Sequence, residues 1–182
     1  IYKLYPKYGD LFLVSGLTDA NNKEIILKAE FSAEIPLYHK LPLHMQSRNL
    51  NGYSTMVPTQ NLIDSYHCID GKNIAESPLF NKKKPFENRD PRLTATVLCN
   101  GDSLIWNNGE VFTVETYVNG RHGMSLDPSD RAHSRTGYYH RKLVTPQASN
   151  TNQINNSNWK FFRLGEIILN YAEAAAESGH LA

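Results

Sequence analysis

The chain has 182 residues, of which 40% are apolar and 20% are charged, a balance typical of a folded globular domain. Its formal net charge of +1 provides no overall field that would attract nucleic acid or an anionic membrane surface. Two cysteines are too few for a disulfide framework or a zinc cluster, and no run of about 18 apolar residues predicts a membrane span.

Both ends of the sequence have the character of a cut chain. Ile1 does not begin a signal-peptide pattern, and residues 178–182 follow a helix stop and start a new segment. We therefore expect a fragment or a processed product, with any export signal outside it. Cys68 and Cys99 leave two alternatives open, one structural bridge or two free thiols.

The first half of the chain predicts an extended segment, a long loop and a short helix. Residues 25–31 form a β-branched run that favours an extended segment, with a helix start as the alternative. Residues 32–57 lack strong periodicity and predict a long surface loop. A helix is expected from about Thr59 to Ile69, because Thr59 can cap the first turn and apolar residues follow at helical spacing. Asp70-Gly71 then predicts a turn.

The middle of the chain predicts a second strand and a β-hairpin. Apolar residues alternate with threonines over residues 92–98, which is typical of a strand. Asn108-Gly109 separates two apolar runs at residues 104–106 and 111–115. This is a hairpin signal, because both central turn positions need a positive φ. Residues 119–158 are expected to be largely loop.

The strongest helix pattern covers residues 159–177. Its apolar stripe consists of Phe161, Leu164, Ile168, Ala172 and Ala175. Ser157 or Asn158 can cap its start, and Gly179 fits the left-handed position after its end. The alanine-rich face predicts close approach by a second helix, as in half of a helix-turn-helix repeat.

Three separated stretches carry a family resemblance. The first reads PTQNLIDSY at residues 58–66, followed by Asp70-Gly71, and the second reads NRDPRL at residues 88–93, followed by Gly101-Asp102. The third stretch runs from TGYY at residues 136–139 through Arg141-Lys142 to Trp159, Phe162-Arg163 and EIILNYAEA at residues 166–174. In this order and spacing they resemble the SusD/RagB family of nutrient-binding proteins.

The resemblance implies a mainly α fold, a SusD-like scaffold of tetratricopeptide-type helix pairs with long loops and a small β-hairpin. Residues 1–182 would then be a single partial domain, and residues 159–177 the scaffold helix of an incomplete pair. It also implies a lipoprotein of the outer membrane, exposed at the cell surface, whose lipid anchor lies outside this piece. Such a protein passes oligosaccharides to a SusC-type TonB-dependent transporter and catalyses no reaction.

The motif Arg89, Asp90, Pro91, Arg92 is interpreted as structural. Pro91 sets the backbone at the entrance of the predicted strand, and Asp90 can pair with either arginine. A clamp of this kind explains the motif more simply than a charged active site does.

Arg163 and Glu166 are three residues apart in the predicted helix and therefore share a face. The alanines nearby favour a salt-linked packing face over a catalytic pair of carboxylates.

Ligand contacts are expected from aromatic residues on loops, because an aromatic ring covers the apolar face of a sugar while polar side chains bind its hydroxyl edge. The candidate pairs are Trp106 with Asn107, Tyr53 with Arg48, and Arg121 with His122. Trp106 has a second interpretation, in which it packs the hairpin against the scaffold.

Three alternatives to glycan capture remain open: a peptide- or protein-binding member of the same scaffold, a glycoside hydrolase, and a structural remnant without a complete site. The seven histidines show no metal-ligand spacing, and the sequence has no phosphate-binding loop or nucleophile elbow. We therefore expect no metal, no cofactor and no nucleic-acid partner.

Overall fold

The structure is a computed structural model that describes residues 1–13, 22–31, 39–50, 52–105, 111–123, 126–127, 129, 133–144 and 158–180. In chain order the regular elements are a 3-10 turn at Asp10–Phe12, β1 (Ile25–Ala29), α1 (Leu41–Met45), a 3-10 turn at Arg48–Leu50, α2 (Gln60–Ser65), α3 (Pro91–Thr96), β2 (Val97–Leu98), β3 (Ser103–Ile105), β4 (Val111–Thr113), β5 (Tyr139–His140), β6 (Trp159–Arg163) and α4 (Leu164–Glu177). Within the described ranges, no helix has the length and apolarity that crossing a membrane would require.

The chain divides into two compact units. Unit 1 contains Ile1–His39 and Asn156–Ala182, and unit 2 contains Lys40–Asn155. Unit 1 holds the antiparallel pair of β1 and β6 together with α4, whereas unit 2 holds the other three α-helices and two further strand pairs, β2 with β5 and β3 with β4. That residues 1–182 belong to a single partial domain stays a prediction.

The strand β6 corrects the predicted start of the long helix. Trp159 pairs with Ala29 and Arg163 pairs with Ile25, so these five residues are extended and α4 begins only at Leu164. The backbone groups of β6 find acceptors and donors on β1, a non-local pairing that outweighs the helical spacing of its apolar residues. Asn158 does not cap the helix. Its side-chain oxygen accepts from the Phe31 N–H at 2.9 Å.

The end of α4 follows the prediction, but the predicted ion pair of Arg163 does not form. Gly179 has a φ of 73°, the left-handed conformation expected after the last turn. Arg163 donates to Glu24 Oε1 at 2.8 Å, and the side chain of Glu24 is only 4% exposed. The predicted pair of Arg163 with Glu166 is therefore wrong, because Arg163 lies in β6 beside Glu24 and not in the helix.

Unit 2 begins in the segment that was predicted to be a loop. Residues 32–38 lie outside the described residues, but α1 and the 3-10 turn at Arg48–Leu50 interrupt the rest of that segment. Pro42 occupies the first turn of α1, where the lack of an N–H group costs nothing.

The helix α2 follows its predicted cap closely. The Thr59 side chain accepts a hydrogen bond from the Leu62 N–H at 3.4 Å. The helix ends at Ser65, one turn earlier than predicted, because Tyr66 is already extended. Gly71 has a φ of 77°, which confirms the turn expected at Asp70-Gly71.

The helix α3 replaces most of the strand predicted at residues 92–98. Asp90 caps it by accepting the Arg92 N–H at 2.8 Å, and Pro91 occupies the first helical turn. Leu93 and Val97, four residues apart, are both fully buried, so the same apolar residues that suggested alternation also fit one helical face. Only Val97–Leu98 is extended.

Arg89 and Asp90 have separate partners in the structure. Arg89 is 5% exposed, and its guanidinium donates to three backbone carbonyls, Pro85 at 2.9 Å, Ile63 at 2.6 Å and Tyr66 at 2.8 Å. Asp90 instead pairs with the exposed Arg92, whose Nε donates to Asp90 Oδ2 at 2.9 Å. Arg89 thus donates to two carbonyls at the end of α2, where few backbone donors are left to satisfy them.

Two apolar clusters form the interior of unit 2. The first consists of Ile63, Leu93, Val97 and Cys99, with Tyr66, Phe86 and Tyr138 packed against it. The second consists of Leu98, Leu104, Val114 and Tyr139, with Val57 and Phe112 packed against it. The predicted hairpin is present, since Leu104 of β3 pairs with Phe112 of β4, but its turn at residues 106–110 lies outside the described residues.

Replacing Arg89 by lysine tests the buried guanidinium. A lysine ammonium cannot reach three carbonyls in this geometry, and each charge-assisted bond is worth about 1.5–3 kcal/mol. Arg89→Lys should therefore lower the free energy of unfolding of the full-length protein by about 2–4 kcal/mol in urea denaturation. The matched control is Arg92→Lys, where the exposed ion pair is worth less than about 1 kcal/mol. Equal losses for both variants would contradict this role.

Candidate functional site

Two of the predicted ligand residues, Trp106 and Asn107, lie outside the described residues. They follow β3, which ends at Ile105, and precede β4, which begins at Val111. The other four predicted residues are described, and all belong to unit 2.

Tyr53 is held by a tightly folded loop. Its backbone N–H donates to the Leu43 carbonyl at 2.7 Å, and the preceding Gly52 N–H donates to the Ser47 carbonyl at 2.8 Å. A Cβ atom at Gly52 would lie 2.2 Å from the carbonyl oxygen of Gln46, so only glycine fits this close approach. The fold of the loop leaves the Tyr53 side chain 51% exposed.

The Arg121 side chain contacts the aromatic ring of Phe112, a residue of strand β4. Its guanidinium carbon is 5.6 Å from the centroid of the Phe112 ring, a cation–π distance. The Arg121 backbone N–H donates to Glu115 Oε2 at 3.2 Å. These two contacts fix the residue while its side chain remains exposed.

Asn49 joins the two predicted pairs. Its side-chain amide donates to the backbone carbonyl of Arg121, so the 3-10 turn that contains Arg48 lies directly against the turn that contains Arg121. We call residues 48–53 and 112–122 together the loop surface. Its exposed side chains include Arg48, Tyr53 and Arg121.

His122 is a support of the loop surface and not an exposed contact. It is 1% exposed and stacks on Phe112 with ring centroids 5.3 Å apart and an angle of 16° between the planes. Its Nδ1 accepts from the Glu115 N–H at 3.2 Å, and its carbonyl accepts from the Tyr139 hydroxyl at 2.8 Å. The prediction that His122 reaches the ligand from the surface does not fit this burial.

The base of the hairpin is fixed by a charged contact that the sequence did not indicate. Asp102 Oδ2 accepts from the Cys99 N–H at 2.9 Å and from Arg141 Nη2 at 3.0 Å. Because Arg141 follows β5, this carboxylate ties the start of β3 to the strand that carries Tyr139. The hairpin is thereby held on the second apolar cluster, next to the loop surface.

Metal and thiol chemistry have little support in the described residues. No group of three or more His, Cys, Asp or Glu side chains among them is placed to hold a metal ion. Cys68 and Cys99 are free and buried, which settles the two alternatives in favour of thiols. Burial raises the pKa of Cys99 to about 12, so the thiol stays protonated at neutral pH and is a poor nucleophile.

Comparison with known proteins gives one family and several solved structures. The family model described as the SusD family matches residues 22–182. A SusD-like carbohydrate-binding protein from Bacteroides fragilis is 26% identical with a TM-score of 0.79, and the alignment covers 98% of this chain and 34% of that one. A second SusD-like protein from Bacteroides fragilis is 25% identical with a TM-score of 0.70, over 98% of this chain and 37% of that one. This chain therefore spans about a third of the length of both. No curated protein matches it.

The buried His122 predicts a loss of stability in acid. Burial lowers the pKa of His122 from its ordinary value of 6.5, and the nearby Arg121 charge acts in the same direction. Burial lowers the pKa of His140 as well. The unfolded chain therefore takes up these protons more readily, so stability is full above pH about 6.5 and falls as the pH drops through the lowered values.

Substituting His122 measures how much of the acid-induced loss of stability comes from His122 and how much from His140. His122→Asn keeps an acceptor for the Glu115 N–H but does not titrate. The melting temperature of the variant, followed by circular dichroism from pH 8 to pH 5, should fall less steeply than that of the native protein. An unchanged slope would contradict the assignment.

Proposed function

The chain belongs to the SusD family, and from this premise we propose that it captures glycans at the cell surface for uptake. In this proposal the full-length protein is lipid-anchored in the outer membrane and passes oligosaccharides to a SusC-type TonB-dependent transporter. The tetratricopeptide-type scaffold belongs to the same proposal. These properties are those of the longer protein, of which this chain spans about a third of the length of its solved relatives.

One observation carries the proposal: the similarity to a SusD-like carbohydrate-binding protein extends over 98% of this chain with a TM-score of 0.79. The aligned part is therefore not limited to the helix α4, and the unit that carries the loop surface is included. The loop surface offers what a sugar needs, an exposed aromatic side chain beside exposed hydrogen-bond donors.

In the proposed site, different side chains contact the apolar face and the hydroxyl edge of the sugar. Tyr53 covers the apolar C–H face of a sugar, and Arg48 and Arg121 donate to its edge. Trp106 and Asn107, between β3 and β4 in the sequence, stay a proposed second platform. A binding site built in this way depends on shape, because each exposed hydrogen bond gains little over the bond to water that it replaces.

The loop surface has too few carboxylates for glycoside hydrolysis, and this favours a binding function. A glycosidase needs two carboxyl groups facing each other, about 5–5.5 Å or 6.5–9.5 Å apart. Residues 48–53 and 112–122 contain a single acidic residue, Glu115. Its Oε2 already accepts the Arg121 N–H.

Replacing Tyr53 tests the proposed contact. Isothermal titration of the full-length protein against plant, mucin and microbial polysaccharides should first identify a bound glycan. Tyr53→Ala should then raise the Kd roughly tenfold, because an aromatic contact is worth about 0.5–1.5 kcal/mol beyond its buried area. Tyr2→Ala is the matched control, since Tyr2 is similarly exposed, 54% against 51%, but belongs to unit 1.

Three outcomes would each change the proposal in a different way. Loss of binding in Trp106→Ala but not in Tyr53→Ala would place the site on the hairpin turn alone. Equal affinities of all variants would support glycan capture but refute both contacts. Binding to peptides and to no glycan would favour the peptide-binding alternative.

A further inference from the structure

Arg48 and Arg121 differ from most arginines of the described chain. Neither guanidinium has a carboxylate within ion-pair distance among the described residues, although both side chains are exposed on the same loop surface. Other arginines have acceptors within the protein, namely Arg89 on three carbonyls, Arg92 on Asp90, Arg141 on Asp102 and Arg163 on Glu24.

The fold brings these two cations to neighbouring positions. Asn49, the residue after Arg48, donates its side-chain amide to the backbone carbonyl of Arg121, so this side chain links the two segments. Two guanidinium groups that have no carboxylate partner among the described residues repel each other on a shared surface, and a bound anion relieves this repulsion. Glu115 is the single acidic residue of the loop surface, which leaves it with a net charge of +1 from Arg48 and Arg121 against Glu115 when His122 is neutral.

The environment of Arg121 leaves its donors available. The guanidinium carbon of Arg121 lies over the Phe112 ring, 5.6 Å from the ring centroid. A cation–π contact is made by the charge of the guanidinium as a whole and uses none of its N–H groups as hydrogen-bond donors. A planar fork held on an aromatic ring suits the two oxygens of a carboxylate or of a sulfate ester.

We propose that the loop surface binds an anionic glycan, with its carboxylate or sulfate group held by Arg48 and Arg121 and a sugar ring against Tyr53. The inference rests on the proposed function and narrows it from glycans in general to acidic ones. A sugar is favoured over an acidic peptide because the exposed aromatic ring of Tyr53 lies on the same loop as Arg48, five residues along the chain.

The test compares oligosaccharides that differ only in charge. The full-length protein is titrated with oligogalacturonides and with their methyl-esterified, neutral form, and with a sulfated galactan oligosaccharide and its desulfated form. The acidic form of at least one pair should bind at least tenfold more tightly in 50 mM salt, and the advantage should shrink at 300 mM salt because screening weakens exposed charge contacts. The pair whose acidic form binds more tightly identifies the anion as a carboxylate or as a sulfate ester.

Charge-removing variants locate the contact. Arg48→Gln and Arg121→Gln should each raise the Kd for the acidic form roughly tenfold and the Kd for the neutral form by a smaller factor, because glutamine still donates to a sugar hydroxyl but cannot pair with an anion. Circular dichroism of each variant checks that it is folded. Arg92→Gln is the matched control, because its arginine is also exposed but is paired with Asp90.

The failures of the inference and of the proposed function are distinguishable. Equal binding of acidic and neutral forms, or acidic binding that neither glutamine variant weakens, overturns the inference and leaves glycan capture in place. Binding of an acidic peptide such as oligoglutamate together with no binding of any oligosaccharide overturns both.

Discussion

The buried guanidinium of Arg89 is the contact on which the arrangement of unit 2 depends. A buried cation is unfavourable unless its donors are satisfied, and here three backbone carbonyls accept them. Two of these carbonyls, those of Ile63 and Tyr66, lie at the end of α2. Arg89 therefore anchors the end of one helix immediately before Asp90 caps the next.

A chain of contacts connects Arg89 and α3 to the loop surface. α3 continues directly into β2, β2 pairs with β5, and Tyr139 of β5 donates its hydroxyl hydrogen to the carbonyl of His122. His122 stacks on Phe112 of the hairpin, and Arg121 contacts the same ring. Arg121 is thus held by buried residues, so the binding proposed for it starts from a surface that is already ordered, which lowers the entropic cost.

Helix caps and turns were predicted well from local signals. The alternation at residues 92–98 wrongly predicted a strand where α3 forms, and the non-local strand pairing was missed. The Thr59 cap, the positive φ values of Gly71 and Gly179 and the hairpin strands depend on neighbouring residues, and all are present. β6 was mistaken for a helix because its partner β1 lies more than 120 residues earlier in the chain. The family resemblance and its SusD-like fold are confirmed by the family match and by the solved relatives. Arg48, Tyr53 and Arg121 stay predicted contacts, and the side chains of all three are exposed. The sequence did not indicate that Asn49 links the segments of Arg48 and Arg121, or that Phe112 contacts Arg121.

The central claim is that a glycan binds to the loop surface. Hydrogen–deuterium exchange of the full-length protein, with and without a bound oligosaccharide, tests it most directly. The account predicts slower exchange of the backbone amides in residues 48–53 and 112–122 when the glycan is bound, and unchanged exchange in residues 68–90. Protection confined to residues outside the loop surface would contradict the account.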